Sequence, residues 1–235
     1  MFILVNKPKG ITSHGVVAKV RKIISMDESP LHRLRRIKVG HAGTLDPNAT
    51  GLLILGIGRE STKNLDRFLK LDKEYLADIY LGEERDTEDA DGKSLISNSE
   101  FLIESQIPIS KIRTTLKGFM GKQMQTPPIY SAIKVGGKEA YKLARAGKDV
   151  VLKPREITVY ETKLMEYNFP ILTVKFKVSS GTYIRSLARD IGRKLGTGAY
   201  LSDLVRTKVG KYNLKKAVLL NELNPENWKS FAFDI

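Results

Sequence analysis

The stretch "GHAGTLDPNATGLLILGIG", residues 40–58, holds two kinds of chain in succession. From Gly51 onward it is almost uninterrupted leucine, isoleucine and glycine, which reads as a buried strand. Before that comes a loop of small residues in which one acid, Asp46, is locked against Pro47. Two readings compete for this loop. Asp-Pro among glycines is ordinary turn chemistry. A catalytic carboxylate on a shaped loop has the same composition, because Gly40, Gly43 and Gly51 let backbone approach a ligand closely. His41 would add a flat ring for stacking.

Working outward, "FILVNKP" reads as a short buried strand stopped by Pro8. Thr12 or Ser13 then caps a helix with Val16, Val17, Val20, Ile23 and Ile24 at helical spacing. Beyond the loop, "STKNLDRFLKL" predicts an amphipathic helix capped by Ser61, and "KEYLADIYLG" alternates as a strand does. "DTEDADG" is an acidic turn. It resembles part of a calcium loop, but Thr87 and Asn98 would occupy the first and last ligand positions, so the coordination set fails. "ISKIRTTLKGFMG" predicts a helix capped by Ser110 and ended by Gly121. "EITVYETKLMEY" and "ILTVKFKVSSG" predict a hairpin joined at "NFP". "TYIRSLARDIGRKLG" predicts a helix with Thr182 as its cap. "AYLSDLVRTKVGKY" closes the pattern as a strand or pair of strands. The expected fold class is α/β of the α+β type: a mixed, largely antiparallel sheet flanked by helices. Residues 1–212 are expected to form one domain, with 213–235 a short C-terminal tail.

The 235 residues carry 40 Lys and Arg against 26 Asp and Glu, a net charge of +14 with three neutral histidines. An excess of that size calls for a polyanionic partner, nucleic acid before anionic membrane. No apolar run is long enough to span a bilayer, and no basic amphipathic helix is flanked by exposed aromatics. The basic run "LHRLRRIKV", with Arg33, Arg35, Arg36 and Lys38, offers phosphate contacts. The absence of cysteine removes disulfides and thiolate metal sites, and a reducing cytoplasm is the natural expectation. His14, His32 and His41 lie too far apart to build a zinc site unaided. No phosphate-cradling glycine motif runs on to Lys and Ser or Thr. No cofactor and no metal are therefore expected.

Two loops look costly by local rules. One carries Asp46. The other is "SSGTYIRS", where Arg185 lies in the first turn of a helix, the end at which a cation is unfavourable. An arginine there needs a carboxylate partner, and Asp46 is one candidate.

The motifs taken together resemble the bacterial tRNA pseudouridine-55 synthase family (TruB). The likeness rests on "GHAGTLDPNATGLL", "STK", "KEY" and "DTEDADG" in the first half of the chain. "NKPKGITS" at Asn6 to Ser13 and "QTPPIYSAIK" at Gln125 to Lys134 join them. So do "SSGTYIRSLARDIG" at Ser179 to Gly192 and "LVRT" at Leu204 to Thr207. They occur in the family's order over about nine-tenths of the chain.

The resemblance implies the pseudouridine synthase fold with a central RNA-binding cleft. It implies isomerisation of uridine 55 in the T-loop of tRNA, with the T-arm stem-loop as partner. It makes Asp46 the nucleophile, Arg185 its ion partner and Tyr75 the ring that stacks on the flipped base. His41 would lean on the T-loop bases, Tyr183 and Leu204 would complete the pocket, and Lys7 and Pro8 would support it. Many members carry a C-terminal RNA-binding domain of the PUA type, for which the residues after Tyr212 are too few. A monomer is expected. The competing functions are an RNA-binding module or chaperone without catalysis, and a related synthase acting on ribosomal RNA.

Overall fold

The computed structural model describes residues 1–27, 37–96 and 107–235. The basic run His32 to Arg36 lies outside these residues, whereas Lys38 is described and exposed. The chain divides into two compact units, Met1–Tyr75 with Leu204–Ile235, and Leu76–Asp203.

In the first unit the strand Phe2–Lys7 is central. It runs antiparallel to Thr50–Ile57, in register from Phe2 with Gly56 to Lys7 with Gly51. Its other edge is shared by Val218–Leu219, parallel to it, and Ala232–Phe233, antiparallel. Thr50–Ile57 continues outward to Val39–Ala42, antiparallel, and meets Val205 and Arg206 of the strand Ala199–Val209 in parallel register. Alternation along a strand sends neighbouring side chains to opposite faces. Ile3 and Val5 accordingly join Val16, Val17, Val20 and Ile24 of the helix Ser13–Asp27 in one core. Phe2 and Leu4 join Leu52, Ile54 and Phe68 in another. Both faces are covered, which is why "FILV" and "LLILGI" carry no polar alternation.

The residues after Tyr212 are built into this unit. Val218, Leu220, Leu223 and Trp228 are buried in the first of the two cores. Tyr212–Asn213 pairs with the strand Ala199–Val209.

In the second unit the hairpin is present as Arg155–Asn168 against Ile171–Val178, turning through a cis Phe169–Pro170 bond. Gly121–Gln125 lies antiparallel on the hairpin's outer edge. The strand order runs on from Ile171–Val178 to Lys73–Leu81 and then Ala199–Val209. The last two strands each begin or end in the first unit. The expected mixed, largely antiparallel sheet with flanking helices is thus present. Among the described residues, no helix is long and apolar enough to cross a membrane.

The expected capping residues are corrected in three places. The segment after Gly58 is two short helices, Arg59–Lys63 and Asp66–Leu69, and Gly58 precedes the first. Ser61 instead accepts a 2.5 Å hydrogen bond from the chain's amino terminus. The helix Ile109–Gly118 follows Pro108, so Ser110 sits inside it, and Gly121 opens the next strand. Tyr183, not Thr182, is the N-cap of the helix Ile184–Leu195. Thr182 turns its hydroxyl back to the carbonyl of Ser179 at 3.0 Å.

Candidate active site

The loop that carries Asp46 is held from below by the "NKPKGITS" motif. The Ser13 hydroxyl donates to the Leu45 carbonyl at 3.0 Å and accepts from the Leu45 amide at 2.8 Å. One buried hydroxyl thereby satisfies both backbone groups of the residue before Asp46. The amide of Gly10 donates to the carbonyl of Pro47 at 2.9 Å. The Lys7 ammonium is fully buried and spends its three protons on the carbonyls of Pro8, Pro47 and Ala49, at 2.9, 2.9 and 2.6 Å. Asp46 itself is half-buried, and its carbonyl closes the turn by accepting from the Ala49 amide at 3.1 Å.

The loop's two ends are tied by Arg206. This guanidinium is 1% exposed, an uncommon depth for an arginine. Its Nε donates to the Leu52 carbonyl at 2.8 Å and an Nη to the Gly43 carbonyl at 2.9 Å. The Arg206 backbone also packs against Gly51, where an added Cβ would meet its carbonyl oxygen at 2.4 Å. Glycine is required there twice over, since Gly51 has φ +105°.

These buried charges perturb one another. Burial lowers the pKa of Lys7 to about 8; the carboxylate of Asp46 opposes the shift and Arg206 adds to it. Burial also lowers His41, reinforced by Arg206 and then His14, so its ring is neutral at physiological pH. The Nδ1 of His41 is buried and makes no hydrogen bond among the described residues. Tyr75 and Leu204 are each 8% exposed. Asp46, His41, Tyr75 and Leu204 all belong to the first unit.

Tyr183 and Arg185 belong to the second unit, where "QTPPIYS" does the bracing. The side-chain amide of Gln125 accepts from the Tyr183 amide at 2.9 Å and donates to the Tyr183 carbonyl at 3.0 Å. Arg185 is 6% exposed. One Nη donates to the Thr87 carbonyl at 3.1 Å and to Asp89 at 3.0 Å, and the other to the Tyr130 carbonyl at 2.9 Å. An arginine in a first helical turn needs a carboxylate, and Asp89 supplies one within this unit.

The acidic turn therefore has a structural task that its composition did not disclose. Arg185, Arg189 and Arg193 recur at intervals of four along one face of the helix. They meet Asp89, Glu88 and Glu84 respectively. Arg193 is held by both oxygens of Glu84, each at 2.8 Å. Glu88 stands at φ 63° and also accepts from the Ser186 hydroxyl at 2.8 Å. Burial raises its pKa, against the opposing pull of Arg189, the Ser186 bond and Arg185. Among the described residues no group of three or more His, Asp and Glu is placed to hold a metal ion.

Ser13, Gln125 and Arg206 were not singled out from sequence as holders of the site. Each stood inside a quoted motif, and Arg206 had a readable signal. It occupies an inward position of a strand between Leu204 and Val209, where an unpaired buried charge would be costly.

The chain matches the model of the TruB family pseudouridylate synthase N-terminal domain over residues 32–184. It matches that of the tRNA pseudouridylate synthase B C-terminal domain over residues 185–232. It belongs to the TruB family of pseudouridylate synthases. A relative from Desulfotalea psychrophila, named tRNA pseudouridine synthase B, is 44% identical over 92% of this chain and 84% of its own. One of the same name from Aquifex aeolicus is 41% identical over 99% of this chain and 77% of its own. Among solved structures, the crystal structure of a Cbf5-Nop10-Gar1 complex aligns with a TM-score of 0.70 at 29% identity. That alignment covers 99% of this chain and 56% of the other, so the chain spans little more than half of that structural relative. The TruB motifs fall where the two units brace their loops: "NKPKGITS" under Asp46, and "QTPPIYS" beside Tyr183 and Arg185.

Proposed function

We propose that this synthase isomerises uridine 55 in the T-loop of tRNA, with Asp46 as the nucleophile. The carrying observation is the way the Asp46 loop is immobilised. Ser13, Gly10, Lys7 and Arg206 fix the backbone on both sides of the aspartate and leave its side chain at a half-buried position. A nucleophile held in place enters the reaction without the ordering cost a mobile loop would add. The names of the relatives support tRNA as substrate, and the net charge of +14 suits a polyanion.

In the reaction the bond between the ribose C1′ and N1 of the base breaks, the base rotates, and C1′ bonds to C5. The C5 proton is lost and N1 gains one, so the change is redox-neutral. The target base must first leave its stack, which costs a few kcal/mol. Tyr75, Tyr183 and Leu204 offset part of that cost by stacking and apolar contact, and the neutral ring of His41 leans on neighbouring bases. Arg185 serves the nucleophile as its cation. Its guanidinium is preorganised by Asp89 and the carbonyls of Thr87 and Tyr130.

The test is to incubate the protein with a mixture of tRNA and ribosomal RNA and to map pseudouridine at nucleotide resolution. A single new pseudouridine at position 55 of tRNA is expected. Modification confined to ribosomal RNA would overturn the substrate, and binding without modification would overturn the catalysis. Asp46→Asn keeps the shape of the side chain and loses its charge, so it should abolish turnover while tRNA affinity stays within a few fold. Turnover by a preparation free of wild-type enzyme would remove Asp46 from the role.

A further inference from the structure

The first unit carries a cavity of about 800 Å³ that the reading above leaves unused. Its size lies within the range of sites for nucleotides and other small molecules. Val205 lines it and Leu204 does not. The cavity lies against the helix Ser13–Asp27, which supplies Lys19, Lys22 and Ile23, and none of Asp46, His41, Tyr75, Tyr183, Arg185 and Leu204 lines it.

Its chemistry is that of an amphipathic anion site. Lys7, Lys19 and Lys22 line it, and among the described residues no Asp or Glu does. Lys19 and Lys22 are exposed and three residues apart on the helix Ser13–Asp27, a spacing that lets two ammonium groups share one anion. The Lys7 ammonium is committed to three carbonyls, so it adds to the positive potential without contacting a ligand. Ile23, Leu219 and Leu220 contribute apolar surface, and Asn6 and Asn221 contribute amides that both donate and accept.

We propose that this cavity binds a nucleotide, with the base over the apolar surface and within reach of the two asparagines, and the phosphate on Lys19 and Lys22. A bare phosphate would leave the apolar surface unused, and a fatty anion would leave the amides unpaired. The nucleotide belongs either to a bound RNA or to the free mononucleotide pool. The choice of ligand rests on the RNA-modifying reading.

Two labelling arms separate the sources. In one, a tRNA T-arm hairpin carrying 4-thiouridine is photo-crosslinked to the protein and the labelled peptides are sequenced. In the other, 8-azidoadenosine 5′-monophosphate is used alone and in competition with uridine 5′-monophosphate and with inorganic phosphate. Labelling is expected in residues 19–23 or 214–221. It should fall at least tenfold in the double variant Lys19→Glu, Lys22→Glu with its melting temperature unchanged, and in Asn221→Trp, which fills the cavity. Labelling by the hairpin assigns an RNA nucleotide, and labelling by the mononucleotide alone assigns a free one. No label in either arm overturns the proposal. So does displacement by inorganic phosphate as effective as that by the nucleotide, since the base would then contribute nothing. Both arms read binding without turnover, so their failure leaves the mapping of pseudouridine untouched, and the reverse holds too.

Discussion

At the scale of single residues, Lys7 shows how a motif lysine can hold a loop in place through its backbone. Its ammonium is buried, and its three protons pin the carbonyls of Pro8, Pro47 and Ala49 around the turn of Asp46. Burial lowers its pKa from 10.5 to about 8, more than the nearby Asp46 carboxylate can restore. The consequence for stability has a definite sign. Between pH 8 and 10.5 the unfolded chain holds the Lys7 proton more firmly than the folded one. Folding stability contributed by this group therefore rises with pH across that window. Lys73 shares the direction and the value, so the measurement must compare wild type with Lys7→Met. The stability difference, from urea unfolding at pH 7.5, 9 and 10.5, should move in favour of the wild type as pH increases. A difference that stays flat would show that the Lys7 ammonium is not desolvated in the fold.

At the scale of elements, the junction of the Asp46 loop with the strand Thr50–Ile57 makes a demand that only glycine meets. Gly51 has φ +105°, and an added Cβ would meet the Arg206 carbonyl oxygen at 2.4 Å and its amide nitrogen at 2.7 Å. Backbone cannot move aside as a side chain can. Gly43 also has a positive φ, 87°, but its Cβ would meet a side-chain nitrogen of Arg206 at 3.4 Å, an ordinary contact. Gly43→Ala should therefore cost only the conformational strain, about 1 kcal/mol, and Gly51→Ala at least about 3 kcal/mol, because strain and clash add. Chemical denaturation of both variants checks this, and equal losses would sink the close-approach argument. The same elements show what was legible in the sequence. The alternation of Lys73–Leu81, the hairpin and the apolar run after Gly51 are local patterns, and they were readable. The caps were not. Ser61 was claimed by the amino terminus, 60 residues away, and the Tyr183 amide by Gln125, 58 residues away. Asp46 stood out through its own neighbours. Arg206 did not, because its bonds to Leu52 and Gly43 span 154 and 163 residues.

At the scale of the whole molecule, the dominant feature is charge. Forty Lys and Arg against 26 Asp and Glu leave +14, and much of the acid is already spent. Glu84, Glu88 and Asp89 neutralise arginines of one helix, which removes both partners from the surface balance. Exposed lysines such as Lys19, Lys22 and Lys38 are then left to meet phosphates. Each phosphate neutralised releases counterions and contributes about −0.7 to −0.9 to the slope of log affinity against log salt. A footprint of about four phosphates gives a slope near −3, or roughly a sixtyfold loss of tRNA affinity between about 50 and 200 mM salt. Turnover at saturating tRNA should change little over the same range, because the Asp46 loop is held by bonds to buried backbone that salt does not screen. Titrations of a T-arm hairpin at several salt concentrations, alongside single-turnover rates, separate the two effects. A slope shallower than −1 would mean that the charge excess does not serve RNA binding. A turnover rate that fell in step with affinity would mean that the loop depends on exposed charge after all.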